Sequence, residues 1–96
     1  MRPVVWSEAA IADLETQVAY IAADNHRAAL RVRNRIAEVG RRLSQFATGR
    51  RGRVAGTYEQ VVPGLPYLVI YRIRRVQGSE WVSILRVMHT SRNWPG

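Results

Sequence analysis

The chain has no cysteine and no lysine. The first absence excludes disulfides and thiolate-held metal, and it suits a cytoplasmic protein. With only two histidines besides, neither a metal site nor a cofactor is expected. No run approaches the ~20 apolar residues of a membrane span, so no membrane partner is expected. The opening Met-Arg-Pro-Val-Val-Trp also lacks the apolar stretch and small residues of a signal peptide. Acids are scarce: seven face fifteen arginines, for a net charge of +8. Every positive side chain is therefore a guanidinium, a planar fork that pairs bidentately with carboxylates and phosphates. Two partner classes follow, nucleic acid or an acidic protein, and composition does not separate them.

What is present is enough for one domain, residues 1–96, burying roughly 60–65% of its unfolded surface. Tyr67-Leu-Val-Ile-Tyr-Arg-Ile73 is short, aromatic and β-branched, and apolar at both parities. That pattern predicts a strand covered on both faces and central in a sheet. Val76–Glu80 suits a hairpin loop, and Trp81–Met88 returns as a second strand. Past it, His89-Thr-Ser-Arg92-Asn-Trp94 gathers polar and reactive types at a strand end, where scaffolds commonly present function.

Toward the N-terminus, Arg2–Trp6 reads as a short strand that Pro3 confines to an edge or a start. Ser7 is a good N-cap, with Glu8 in the first turn and Trp6 positioned to staple against Ile11. Ala10, Leu14, Val18 and Ile21 carry a first helix to about Ala23. Asp24-Asn25 breaks it, and Asn25 caps a second. There Ala29, Val32, Ile36, Val39, Leu43 and Phe46 form an apolar stripe. Arg27, Arg31, Arg35 and Arg42 line a neighbouring face with Glu38, either as a solvated flank or as a partner surface. Gly40 inside the helix costs about 1 kcal/mol relative to Ala, which marks a close approach of another element. The two helices should pair as an antiparallel hairpin.

Thr48–Gly56 is the most loop-like stretch. Its glycines flank Arg50, Arg51 and Arg53, which are either solvated or aimed at an anion. A strand over Thr57–Val62 and a Pro63-Gly64 turn lead into the central hairpin. The expected fold is α+β, in the order β-α-α-β-β-β: an N-terminal strand and a two-helix hairpin packed on a mainly antiparallel sheet of three to four strands.

That order, with these residues, resembles the RelE/ParE superfamily of bacterial toxins. Trp6-Ser7, Ala10, Asp13-Leu14 and Tyr20-Ile21 are similar to its first helix, and Ala29 and Leu43 to its second. Gly49-Arg50 resembles the following loop, and Tyr67 with Tyr71-Arg72 the central strand. Ile84-Leu85-Arg86-Val87-Met88-His89 with Arg92 is the most specific piece. Ala47 departs from it, standing where proline is common. The resemblance implies an acidic, ParD-like antitoxin in a hetero-oligomer, and one of two activities: RelE-like cleavage of messenger RNA on the ribosome, or ParE-like inhibition of DNA gyrase by binding. Nucleases of this kind resemble one another in a basic residue early on the central strand, and often a tail Tyr. Here those positions are Leu68 and Thr90, and Gly52–Glu59 is more similar to ParE members. A ParE-like toxin is therefore the reading, with the nuclease and a non-toxic antitoxin-binding relic as alternatives.

On that reading no catalytic set is expected, and Arg92, Trp94, Arg86 and His89 are the target-binding candidates. In the nuclease alternative, His89, Arg86 and Arg92 would do the chemistry, which needs a base, a cation and an acid. Bland roles stand beside these. His89 can simply tie the tail to the sheet, Arg86 can pair with Glu59 or Glu80, and Trp94 can close the core's edge. Tyr67 and Tyr71 read as core aromatics. Arg50, Arg51 and Arg53, with Arg31, Arg35 and Arg42, are the candidates for binding antitoxin or another anion.

Overall fold

The computed structural model describes residues 1–92. The elements are β1 (Val4–Trp6), α1 (Glu8–Ala22), α2 (His26–Arg42), β2 (Arg50–Arg51), β3 (Tyr58–Val61), β4 (Tyr67–Val76) and β5 (Ser79–His89). All strands join one sheet in the order β1-β5-β4-β3-β2. Pairing is antiparallel except for β1, which runs parallel to β5 at the edge that Pro3 foretold. The expected α+β order holds, with one strand more than expected. Arg50–Arg51, expected as loop, pairs with Glu59 and Tyr58.

Both helices begin as their caps dictate. The Ser7 hydroxyl accepts the Ala10 N–H at 3.0 Å and donates to the Leu85 carbonyl at 2.9 Å, so one side chain starts α1 and fastens it to β5. Asn25, in extended conformation, accepts the Ala28 N–H at 3.0 Å and opens α2. Ala29, Val32, Ile36, Val39 and Leu43 are buried as their spacing required. Phe46 is not part of that stripe. The helix ends at Arg42 with Leu43 as cap, the phase breaks, and Phe46 emerges 55% exposed. Gly40 does mark a close approach: a Cβ there would lie 2.5 Å from Cζ2 of Trp6. Trp6 thus spends its ring on α2, and its expected staple partner Ile11 is left 46% exposed.

The helices cover one face of the sheet. Val32, Ile36, Val39 and Leu43 share a core with Tyr67, Val69 and Tyr71 of β4 and Val82, Ile84 and Val87 of β5. Leu68 and Ile70 point to the opposite face and are buried too, as a doubly covered strand requires. That covering stops at Tyr71, which pairs with Tyr58, the first residue of β3. From Arg72 onward the β4–β5 hairpin continues as an arm to the turn at Gln77 and Gly78, whose φ angles of 50° and 82° suit a two-residue hairpin loop. The loop is thus shorter than the expected Val76–Glu80, and β5 starts at Ser79. A bulge between Ile70 and Tyr71 shifts the register, so Leu85 and Arg86 both fall in the step opposite Ile70.

Candidate functional site

The first candidate region forms where β1 gives out. Its last pair is Trp6 with Ile84, so the following half of β5 has no strand on that side. Asp13 of α1 fills the gap. Its Oδ2 accepts the Val87 N–H at 2.9 Å, and the carboxylate takes the Arg86 Nε at 2.7 Å and Nη2 at 2.9 Å. The expected partners of Arg86, Glu59 and Glu80, are engaged elsewhere. Glu80 meets Arg2 at 3.0 Å and Arg75 at 3.6 Å. The hydrogen bond to Asp13 pushes the Arg86 pKa above its ordinary value.

His89 stands edge-on to Tyr67, with ring centroids 5.4 Å apart. Its Nδ1 accepts the Ser91 N–H at 3.1 Å and lies 2.7 Å from the Ser91 hydroxyl. An accepting Nδ1 puts the proton of the neutral ring on Nε2. The ring thereby ties the tail to the sheet, the structural one of its two roles. Asp13, Thr16, Gln17, Arg86, His89 and Arg92 line a cleft of about 130 Å³. Next to it, Tyr20 is 79% exposed. Arg86, His89 and Arg92 are therefore brought together, as a nuclease would need. The Nε and Nη2 of Arg86 are already engaged by Asp13, however, and Leu68 is buried without charge. Trp94 lies outside the described residues. Among the described residues no three of His, Asp and Glu converge to hold a metal ion.

A second region lies beside the end of α2. Val39, Leu43, Phe46 and Pro63 make the apolar part of a groove of about 410 Å³, with Arg42, Thr48 and Gln60 on its rim. A shallower continuation reaches Arg35 and Glu38. Arg35 donates to the Pro63 carbonyl at 3.1 Å, fixing the turn against the helix, while Arg31 is exposed and Glu38 pairs with Arg41. Sequence reasoning found the arginines and missed the groove, because Phe46 was assigned to the core. The signal for it was the polar Thr48-Gly49 close behind, which shortens the helix.

The loop arginines have an internal use. Glu59 is 1% exposed and its carboxylate meets Arg50 Nη2 at 3.2 Å, the Arg53 N–H at 3.1 Å and Arg53 Nε at 3.9 Å. A carboxylate so buried is tolerated only when paired and hydrogen-bonded. Arg50 and Arg53 supply that, and Arg51 is left exposed. Tyr71, a core aromatic as expected, donates its hydroxyl to the Thr48 carbonyl and pins the same loop from below.

A helical hairpin packed on one face of a mixed sheet, with an apolar groove beside α2 and a polar cleft between α1 and β5, is the frame on which the chain's family is read. The chain belongs to the family of ParE toxins of type II toxin–antitoxin systems, parDE, which it matches over residues 4–94. It is 40% identical over 91 residues to "Putative toxin Y4kP" of Sinorhizobium fredii, covering 94% of this chain and 90% of that one. Among solved structures it superposes on a chain of the chromosomal ParDE toxin–antitoxin system of P. aeruginosa with a TM-score of 0.84 at 23% identity, over 95% and 98% of the two chains. A YoeB/ParE toxin from Agrobacterium tumefaciens matches more loosely, with a TM-score of 0.61 at 14% identity over 91% and 97%. At these identities the two structural likenesses speak to fold. No helix among the described residues is long and apolar enough to cross a membrane.

Proposed function

We propose that this protein is a cytoplasmic toxin that arrests growth by binding DNA gyrase, and that a cognate antitoxin neutralises it by laying an acidic, amphipathic segment into the α2 groove. The observation that carries the reading is the bidentate Asp13–Arg86 pair, at 2.7 and 2.9 Å. Phosphodiester cleavage needs a cation free to meet charge that develops in the transition state. In this cleft Arg86 is already committed to Asp13 and the His89 Nδ1 is taken by Ser91, which leaves Arg92 and the His89 Nε2. With the cleft's carboxylate spent on Arg86, the surface is better suited to shape and anchoring than to proton transfer. Arg92 and exposed Tyr20 offer that, since Arg and Tyr are favoured anchors of binding energy.

For the antitoxin, the groove supplies apolar contact through Val39, Leu43, Phe46 and Pro63. Arg31, Arg35 and Arg42 supply charge for acidic side chains. An antitoxin segment that folds on docking buries large area and shows a negative heat-capacity change.

One observation favours the ribonuclease as a second reading: Arg86, His89 and Arg92 share a cleft. A supercoiling assay with gyrase, run beside a ribosome-dependent RNA-cleavage assay and each repeated with antitoxin, decides between them. Inhibited supercoiling that antitoxin reverses, without RNA cuts, is the expected result. RNA cuts would promote the nuclease, and antitoxin binding with neither activity would make the chain a relic.

A further inference from the structure

The arm of the β4–β5 hairpin is used by neither proposed interface. Register places Arg72 opposite Ser83, Arg74 opposite Trp81 and Val76 opposite Ser79, all on the sheet face turned away from the helices. On the helix side, Arg75 and Arg2 share Glu80. Arg72 and Arg74 have no such partner: among the described residues no carboxylate lies within ion-pair distance of either. Nearer the middle of the same face, Arg50 is neutralised by Glu59 and Arg86 by Asp13. Charge on this face is thus satisfied at the centre and open on the arm.

The arm's chemistry selects its partner. Side chains two residues apart on a strand lie about 6.6–6.8 Å apart along it, so Arg72 and Arg74 present a short exposed row of guanidinium groups. Beside them sits Trp81, half-buried, and Val76 is the arm's other apolar residue on this face. An amphipathic acidic peptide needs a continuous apolar depression, which the α2 groove has, whereas on this face Val5, Val61 and Val76 are exposed on three different strands. A phosphate backbone needs none, because it gains affinity by releasing counterions. An aromatic ring among arginines is a stacking platform for unpaired bases.

We propose that the arm binds single-stranded nucleic acid, with Arg72 and Arg74 on backbone phosphates and Trp81 stacked on a base. The proposal is independent of the gyrase reading, since the arm can hold a strand whatever the toxin's target.

The test is fluorescence anisotropy of the full chain with a labelled single-stranded DNA of mixed sequence, across a salt series. The double variant Arg72→Gln with Arg74→Gln is expected to flatten the slope of log affinity against log salt by about 1.4, the contribution of two single-strand phosphates at about 0.7 each. Both positions are exposed, and thermal melts check that the variant is folded. Trp81→Ala is expected to weaken the complex about 5- to 150-fold, as loss of one stacked base does, and Trp81→Phe to keep most of the affinity. The control is Arg27→Gln with Arg33→Gln on α2, which removes the same net charge. A control that flattens the slope equally would reduce the binding to diffuse charge and overturn the proposal. So would a duplex bound as tightly with no dependence on Trp81. Binding of polyglutamate, rather than of DNA, that depends on Arg72 and Arg74 would make the arm a protein-docking surface and likewise overturn it.

Discussion

The α1–β5 cleft and the α2 groove are both lined with arginine, and they use it in opposite ways. In the cleft, Arg86 is locked to Asp13 and serves to join α1 to a stretch of strand edge that β1 leaves bare. In the groove, Arg42 stands at the rim of an apolar depression, and Arg31 is exposed farther along α2. One residue type is internal cement in the first place and available charge in the second. Net charge alone therefore says little about function here. Which guanidinium groups remain open after the fold has taken its share says more.

The largest effect should come from the groove. Phe46→Ala removes an aromatic that is 55% exposed, so its cost to folding is small. As a central anchor it should cost antitoxin binding about 2–4 kcal/mol, or about 30- to 1000-fold in affinity. Titration calorimetry against the cognate antitoxin measures this, with thermal melting as the control. Unchanged affinity would move the docking surface away from α2.

On the cleft side the expected effect is on stability. Asp13→Ala leaves Arg86 without its carboxylate and the Val87 N–H without an acceptor. The Arg86 side chain is 39% exposed, so the loss falls below that of a fully buried pair, at about 2–3 kcal/mol. Urea denaturation reads it directly. Adding Arg86→Met should recover part of the loss, because the stranded charge is then gone. An Asp13→Ala protein as stable as the parent would mean that Arg86 is not committed, and would reopen the nuclease reading.

Gly40 tests the packing that connects the two regions. Alanine there gains about 1 kcal/mol of helix propensity. It also places a methyl 2.5 Å from the Trp6 ring, and overpacking costs about 1–3 kcal/mol. The net should be a loss of about 1 kcal/mol in the same urea experiment. A stabilised Gly40→Ala would show that the Trp6 ring yields freely.

The difference between the regions also explains what the sequence could reveal. Caps and stripes are local or periodic, so Ser7, Asn25 and the buried series from Ala29 to Leu43 were legible, and Gly40 marked a close approach without naming Trp6 as its partner. The doubly buried half of β4 was legible for the same reason. Partners far apart in the chain were not. Asp13 and Arg86 are separated by 73 positions, and nothing in either neighbourhood names the other. Glu59 stands close to Arg50 and Arg53, but only its burial shows that the loop closes over it. The groove was hidden by a phase error at one residue, Phe46, since an apolar stripe does not announce where its helix stops.

The smallest expected effect is also the one that separates the two activities. His89 lines the cleft with Arg86 and Arg92, and a nuclease would need its imidazole to move a proton. Positioned acid–base groups are typically worth 10²–10⁴-fold, so His89→Gln would all but abolish RNA cleavage. A gyrase binder asks less of the ring. Its Nδ1 accepts from Ser91 and its edge meets Tyr67, and glutamine's amide oxygen can take over the first of these. His89→Gln should therefore keep most of its toxicity while remaining folded and antitoxin-competent, whereas Arg92→Ala, which removes a binding anchor, should lose more. Growth arrest on induction and supercoiling inhibition in vitro measure both variants. Ribosome-dependent RNA cuts that vanish in His89→Gln would reverse the order of the two variants and make the cleft an active site.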